Sequence, residues 1–230
     1  MRAPLADPNR LARIGGALYL VIIVVGIVGP LVTREALVVA NDIVATSHNI
    51  AASPELWRLG IALDLVAQIC DVPVMVILFL LLAPVNQPVA LVSLLFNVVQ
   101  TSTLVVNQLT LVAAQLLSPD QPALADVALR AYSFGEPIGL VFFGITCILE
   151  GYLIRHSGYL PWILGLLMQI AGVAYVANTF LLLLAPGVAS IVFLIPTVVA
   201  ELSLALWLVV RGVDVAKYRQ VSMAAYQAPG

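Results

Sequence analysis

Six apolar stretches, at about 14–33, 59–83, 88–117, 128–153, 160–185 and 188–210, take up most of this chain of 230 residues. Each is long enough, at about 1.5 Å per helical residue, to cross a hydrocarbon core roughly 30 Å thick. A water-soluble domain would need polar surface, and with 62% apolar and 10% charged residues this chain has too little. The mean hydropathy of +1.09 says the same. The expected fold is all-α: a polytopic membrane protein in which residues 1–230 form one integral membrane domain built on a bundle of six transmembrane helices.

The segments between the runs carry helix breakers: Pro84-Val85-Asn86-Gln87-Pro88, Ser118-Pro119-Asp120-Gln121-Pro122, Gly158-Tyr159-Leu160-Pro161 and Ala185-Pro186-Gly187. The longest linker, 34–57, mixes apolar residues with Asn41, Asp42, Ser47, His48 and Asn49. Its stretch 35–52 reads as a short amphipathic helix on the outer surface between spans one and two. Ser53 is placed to cap the next helix, with Pro54 at its first position and Trp57 at interfacial depth. Arg2, Arg10 and Arg13 precede the first run, which lacks a small-x-small cleavage site and reads as a retained helix. Arg2, Arg10, Arg13, Arg155, Arg211, Lys217 and Arg219 flank the spans on one side, and Arg34, Arg58 and Arg130 on the other. This bias points to an inner (plasma) membrane protein with both termini in the cytoplasm.

Several function classes are disfavoured. The net charge of −2 is spread without a basic block, so no nucleic-acid partner is expected. Cys70 and Cys147 lie in apolar runs with no metal spacing, His48 and His156 lie in loops, and neither GxSxG nor HExxH occurs. No cofactor or metal is expected.

Polar residues inside the runs are the informative ones, because a carboxyl group in hydrocarbon is costly and normally faces a cavity or a partner charge. Asp64, Gln68 and Asp71 share one face of span two, and Asn97, Gln100 and Asn107 fall near helical spacing in span three, with Thr101, Gln108 and Gln115 close by. Two polar stripes on adjacent helices can line a wet cavity or close into a hydrogen-bond ladder. Counting about 1.5 Å per residue from the outer ends puts Asp64 and Glu136 about 8–12 Å down, and Asp71 and Glu201 about 18–20 Å down. Asn107 and Asn178 belong to the outer level, and Asn97, Gln100 and Gln169 lie deeper. Arg58 and Arg130 are the expected cationic partners of Asp64 and Glu136. Gly135 and Pro137 either interrupt the helix around Glu136, freeing carbonyls for a site, or kink it for packing, whereas Glu150 reads as an interfacial ion pair with Arg155. The ligand-binding or ion-coupling candidates are therefore Asp64, Gln68, Asp71, Asn97, Gln100, Asn107, Glu136, Asn178 and Glu201.

Arg13-Ile14-Gly15-Gly16-Ala17-Leu18-Tyr19-Leu20 and Leu56-Trp57-Arg58-Leu59-Gly60, leading to Asp64, resemble segments of a bacterial multi-pass family catalogued as domain-of-unknown-function 4386. So do Tyr159-Leu160-Pro161 with Leu164-Gly165, Ala171-Gly172-Val173-Ala174-Tyr175, Leu184-Ala185-Pro186-Gly187, and Val199-Ala200-Glu201 running on to Leu208 and Arg211-Gly212-Val213. The resemblance implies a compact bacterial inner-membrane protein of about six helices and carries no activity with it.

Three functions fit the residues. The first is binding or transport of a small molecule or ion in an outward-facing intramembrane cavity. The second is a structural or regulatory subunit, docking on a membrane-protein partner through small-residue faces such as Gly15-Gly16, Gly26 with Gly29, Gly165 and Ala171-Gly172. The third is an enzyme acting on a lipid or isoprenoid, with paired acids as its chemistry. In every case the lipid bilayer is a partner.

Overall fold

The computed structural model describes residues 5–118, 120–185 and 194–227, and their secondary structure is helix and turn with no strand. The helices are α1 (Pro8–Val32), α2 (Arg34–Leu37), α3 (Ile43–Ala52), α4 (Pro54–Leu82), α5 (Gln87–Leu117), α6 (Pro122–Ser157), α7 (Trp162–Leu184), α8 (Ile195–Val210) and α9 (Val215–Gln227). Five stretches are long and apolar enough to cross a membrane: Pro8–Leu37, in which α1 runs on into α2, and α4, α5, α6 and α7. The sixth expected span is described only as the 16 residues of α8, too short by that measure, and the part from 188 to 193 lies outside the described residues.

The punctuation residues start and stop the helices as their chemistry dictates. Asp7 accepts from the Arg10 amide at 2.9 Å ahead of Pro8, and Asn86 accepts from the Val89 amide at 3.2 Å ahead of Pro88, each satisfying a donor that the first turn leaves open. Gly158 ends α6 at φ +70, in the left-handed region open to a residue without a Cβ.

The long helices close a ring in chain order: α1 packs on α4, α4 on α5, α5 on α6, α6 on α7, α7 on α8, and α8 back on α1. Consecutive helices alternate in direction, so one end of the ring carries α2 and α3 and the other carries α9. Burial is reversed from that of a soluble protein. Ile69, Leu109, Leu116 and Leu184 are largely exposed on the outside, whereas Asn97, Gln100 and Gln108 are buried. Such a surface suits hydrocarbon and not water, and the chain is a membrane protein.

Two apolar clusters fill the ring at different levels. The larger, towards the α9 end, centres on Leu81, Leu82, Ile154, Met168, Leu204 and Leu208. There the buried Tyr159 hydroxyl donates to the Leu81 carbonyl at 2.6 Å while its ring meets Tyr218 of α9 edge-on. Burial pushes the Tyr159 phenol above its ordinary pKa, which keeps it a neutral donor. The smaller cluster joins Leu37, Ile50, Trp57, Leu111, Ala114 and Ala128 at the α3 end. The polar stripes of α4 and α5 fall between the two clusters.

Glycines set the closest approaches. A Cβ on Gly165 would lie 2.5 Å from the Gly151 carbonyl oxygen, and one on Gly16 would lie 2.8 Å from that of Ala205. Most of the small-residue faces that the sequence offers to a partner thus close on the chain's own helices, α6 against α7 and α1 against α8.

Several expectations are corrected. The single helix over 35–52 is two, α2 and α3, because Asn41 takes a left-handed φ of 61 and Asp42 then caps α3 by accepting from the Ala45 amide. Trp57 is buried, with its indole N–H donating to the Leu111 carbonyl at 3.0 Å, so it ties α4 to α5 and does not face an interface. Trp57→Phe is expected to keep the packing but remove the second donor to a carbonyl already bonded within α5, a loss of about 0.5–1.5 kcal/mol, readable as a lower unfolding midpoint in detergent. Helix α6 runs unbroken through Gly135 and Pro137. Gly135 admits the Asn107 side chain, and the Pro137 carbonyl accepts from the Thr179 hydroxyl at 2.9 Å. Helix α9 carries no strong apolar signal and was not expected; Asp214 starts it by accepting from the Ala216 and Lys217 amides.

Candidate functional site

One cavity of about 260 Å³ lies inside the ring and is lined from α1, α4, α5, α6, α7 and α8, with Arg34 at the start of α2 completing the wall. Its lining comes from the halves of these helices nearer the α3 end, where α3 packs across α4, α5 and α6. Seven of the nine sequence candidates line it: Asp64, Gln68, Asp71, Gln100, Asn107, Glu136 and Glu201.

The level nearer α3 is organised by an ion pair that sequence spacing did not reveal. Arg34 Nη1 donates to Asp64 Oδ2 at 2.5 Å and Nη2 to Oδ1 at 3.5 Å, with the two side chains 13% and 11% exposed. The guanidinium also stands 5.2 Å from the centre of the Tyr132 ring, close enough for a cation–π contact. Asn107 donates from Nδ2 to the Tyr132 carbonyl at 3.0 Å, fixing α5 against α6. Glu136 is the one acid of the four that remains exposed.

The expected partners of these acids are elsewhere. Arg58 pairs with Glu55 at 3.6 Å and Arg130 with Asp126 at 2.7 Å, both arginines on the surface. Arg34 wins because α2 begins within a residue of the end of α1 and turns its long side chain back over the cavity. The signal available in sequence was an arginine just beyond an apolar run, long enough to reach inward.

The deeper level holds two acids bonded by hydroxyls. Thr101 donates to Asp71 Oδ2 at 2.5 Å and also lies 3.2 Å from Asn97 Oδ1. Tyr175 donates to Glu201 Oε1 at 2.6 Å and Tyr19 to Oε2 at 3.2 Å. Tyr19, Tyr175 and Glu201 each come from one of the segments that carry the family resemblance, and only the ring brings them together. Asp71 and Glu201 do line one void, although α4 and α8 stand on either side of α1.

The remaining candidates sit differently. Asn97 is buried behind Thr101 and does not line the cavity; Asn178 also lies outside the lining, its Oδ1 buried with no partner among the described residues. Gln169 binds Arg155 at 2.8 Å towards the α9 end, away from the cavity. Glu150 is corrected outright. It is 6% exposed and packs among Met75, Leu78, Leu82 and Leu153, with no ion pair to Arg155. Among the lining residues, Arg34, Tyr19, Tyr132, Tyr175 and Gln108 were missed; of these Arg34 had a sequence signal in its place just beyond an apolar run, and Gln108 in the polar stripe of α5.

Two amide oxygens lining the cavity, Gln68 Oε1 and Gln108 Oε1, are buried without a hydrogen-bond partner among the described residues. Buried acceptors are normally satisfied, which makes these two exceptions in the cavity wall.

The model of a family described as a domain of unknown function, DUF4386, matches residues 14–212. An uncharacterized protein of Archaeoglobus fulgidus is 31% identical over 144 residues, covering 63% of this chain and 78% of that protein. No solved structure matches the chain. With a family model spanning nearly all of the helical ring, the chain belongs to the DUF4386 family.

Proposed function

We propose that this chain is a multi-pass membrane protein that binds a small polar molecule or ion in an intramembrane cavity open towards the outer face. What supports this most is the convergence of four carboxyl groups, from α4, α6 and α8, with an arginine and unpartnered amides on one void. A dry, merely structural bundle would leave no void and would pair its amides with one another. The void is below the roughly 300–1,000 Å³ of pockets that take drug-sized ligands, so the ligand is small.

In this reading α8 belongs to a sixth crossing, and the α3 end faces outward. The arginine and lysine bias puts both termini in the cytoplasm of a cell whose plasma membrane holds the protein. The glycine faces closed within the ring favour a self-contained unit over a scaffold subunit.

Cysteine accessibility tests the proposal. Gly26 lines the cavity, and a Cβ there meets nothing within 4 Å among the described residues, so Gly26→Cys is a tolerated reporter once Cys70 is replaced by serine. A membrane-impermeant methanethiosulfonate added to intact bacterial cells is expected to label Gly26→Cys and Val44→Cys on α3, and to spare Lys217→Cys on α9. An unreactive Gly26→Cys beside a reactive Val44→Cys would overturn the open cavity. Labelling of Lys217→Cys in place of Val44→Cys would reverse the orientation.

A further inference from the structure

We infer that the ligand of this cavity is a small organic cation carrying N–H donors, an alkylammonium, seated deep between Asp71 and Glu201. This rests on the binding proposal above and adds the ligand's chemical class.

Charge balance is the first reason. One guanidinium faces four carboxyl groups, and that guanidinium is already committed to Asp64 by two contacts and to the Tyr132 ring. An anionic ligand would find no free cation among the described lining residues. Among the described residues, Asp71 and Glu201 receive only neutral hydroxyl donors, from Thr101, Tyr19 and Tyr175. Bringing a cation between them offsets the cost of anionic groups in a medium of low dielectric, where their attraction is strongest.

The unpartnered groups are the second, independent reason. Gln108 is 7% exposed and its Oε1 lacks a partner, as does Gln68 Oε1. Both are acceptors. Gln68 stands one turn from Asp71 on the same face of α4, and a ligand on Asp71 that also reaches it supplies hydrogen-bond donors, which an ammonium does and a carboxylate does not.

The third is the remaining wall. Tyr19, Phe143 and Tyr175 border the deep level, Phe143 and Tyr175 edge to face at 5.5 Å, and aromatic faces favour an ammonium and its carbon chain. A divalent metal ion fits less well, because no three His, Cys, Asp or Glu side chains among the described residues are placed to hold one.

The test uses the Gly26→Cys reporter in the otherwise full chain. Butylamine, 1,4-diaminobutane and benzylamine are each expected to slow its labelling at least tenfold at saturation, whereas 1,4-butanediol and succinate, matched in length to the diamine, leave the rate unchanged. Asp71→Asn and Glu201→Gln, which keep the shape and most hydrogen bonds, are expected to abolish that protection without changing labelling in the absence of amine. Protection by succinate or butanediol, or by none of the three amines, in a protein whose Gly26→Cys still labels would overturn the amine assignment and leave the open cavity standing. Protection that survives both substitutions would also overturn it. A cysteine that never labels would instead remove the binding proposal beneath it.

Discussion

Arg34→Met is expected to destabilise the folded chain by about 3–5 kcal/mol, because it leaves Asp64 buried without its partner. The carboxyl of Asp64 cannot turn outward. It sits one-third of the way along α4, among helices α1, α5 and α6, with its side chain 11% exposed. Pairing with a mostly buried arginine that is itself held over Tyr132 is what makes this position tolerable. The double replacement Arg34→Met with Asp64→Leu is expected to recover most of the loss, since removing both charges removes the unmet desolvation as well. Unfolding in detergent by increasing denaturant checks both. If Arg34→Met unfolds at the wild-type midpoint, the ion pair is not what holds α2 to α4. If the double variant is as unstable as the single one, lost packing and not an orphaned charge explains the effect.

The second large effect is expected at the α6–α7 contact. Gly165→Leu would push a side chain into the Gly151 carbonyl oxygen, 2.5 Å from the new Cβ, and towards the Arg155 amide at 2.9 Å. These are backbone atoms of a helix packed on both sides, so they cannot yield as a side-chain tip would. A loss of at least about 3 kcal/mol, the upper end of overpacking costs, is expected, together with displacement of α7 and of Tyr175 from Glu201. Gly26→Ala supplies the contrast. Nothing among the described residues lies within 4 Å of a Cβ there, and exchanging a mid-helix glycine for alanine is expected to stabilise by up to about 1 kcal/mol. Equal responses at the two positions would show that helix propensity, and not close backbone approach, governs these glycines.

Much of the helical layout was legible because its signals are local. Long apolar runs predict membrane-length helices, and Asn86 with Pro88, Pro122 and Gly158 mark ends through donors and φ angles that a few neighbouring residues settle, whereas the start of α1 at Pro8 lies six residues ahead of its apolar run. The outer linker was legible only in part, since a turn at Asn41 splits one amphipathic pattern into two helices. Helix α9 escaped because its apolar content is low, and its reason to be helical is the seating of Tyr218 against Tyr159, more than fifty residues away in sequence.

The polar stripes of α4 and α5 were readable for a similar reason: helical spacing fixes which side chains share a face, and the cost of a carboxyl in hydrocarbon fixes that the face points inward. Pairings were not readable. Arg58 and Arg130 seemed matched to Asp64 and Glu136 by level alone, and level says nothing of which way a helix end turns.

The sequence by itself therefore determined that the chain lives in a membrane and roughly where five of its long helices lie, and it marked most of the acids that turn inward. Periodicity and transfer cost act within a single helix and need no knowledge of its neighbours. Only the tertiary structure decided that the helices close into a ring in chain order, that Arg34 folds back onto Asp64, and that Tyr19, Tyr175 and Glu201 meet. These contacts join residues from helices far apart in the chain, and which helix faces which is set by the glycine contacts and packing that bring the helices together.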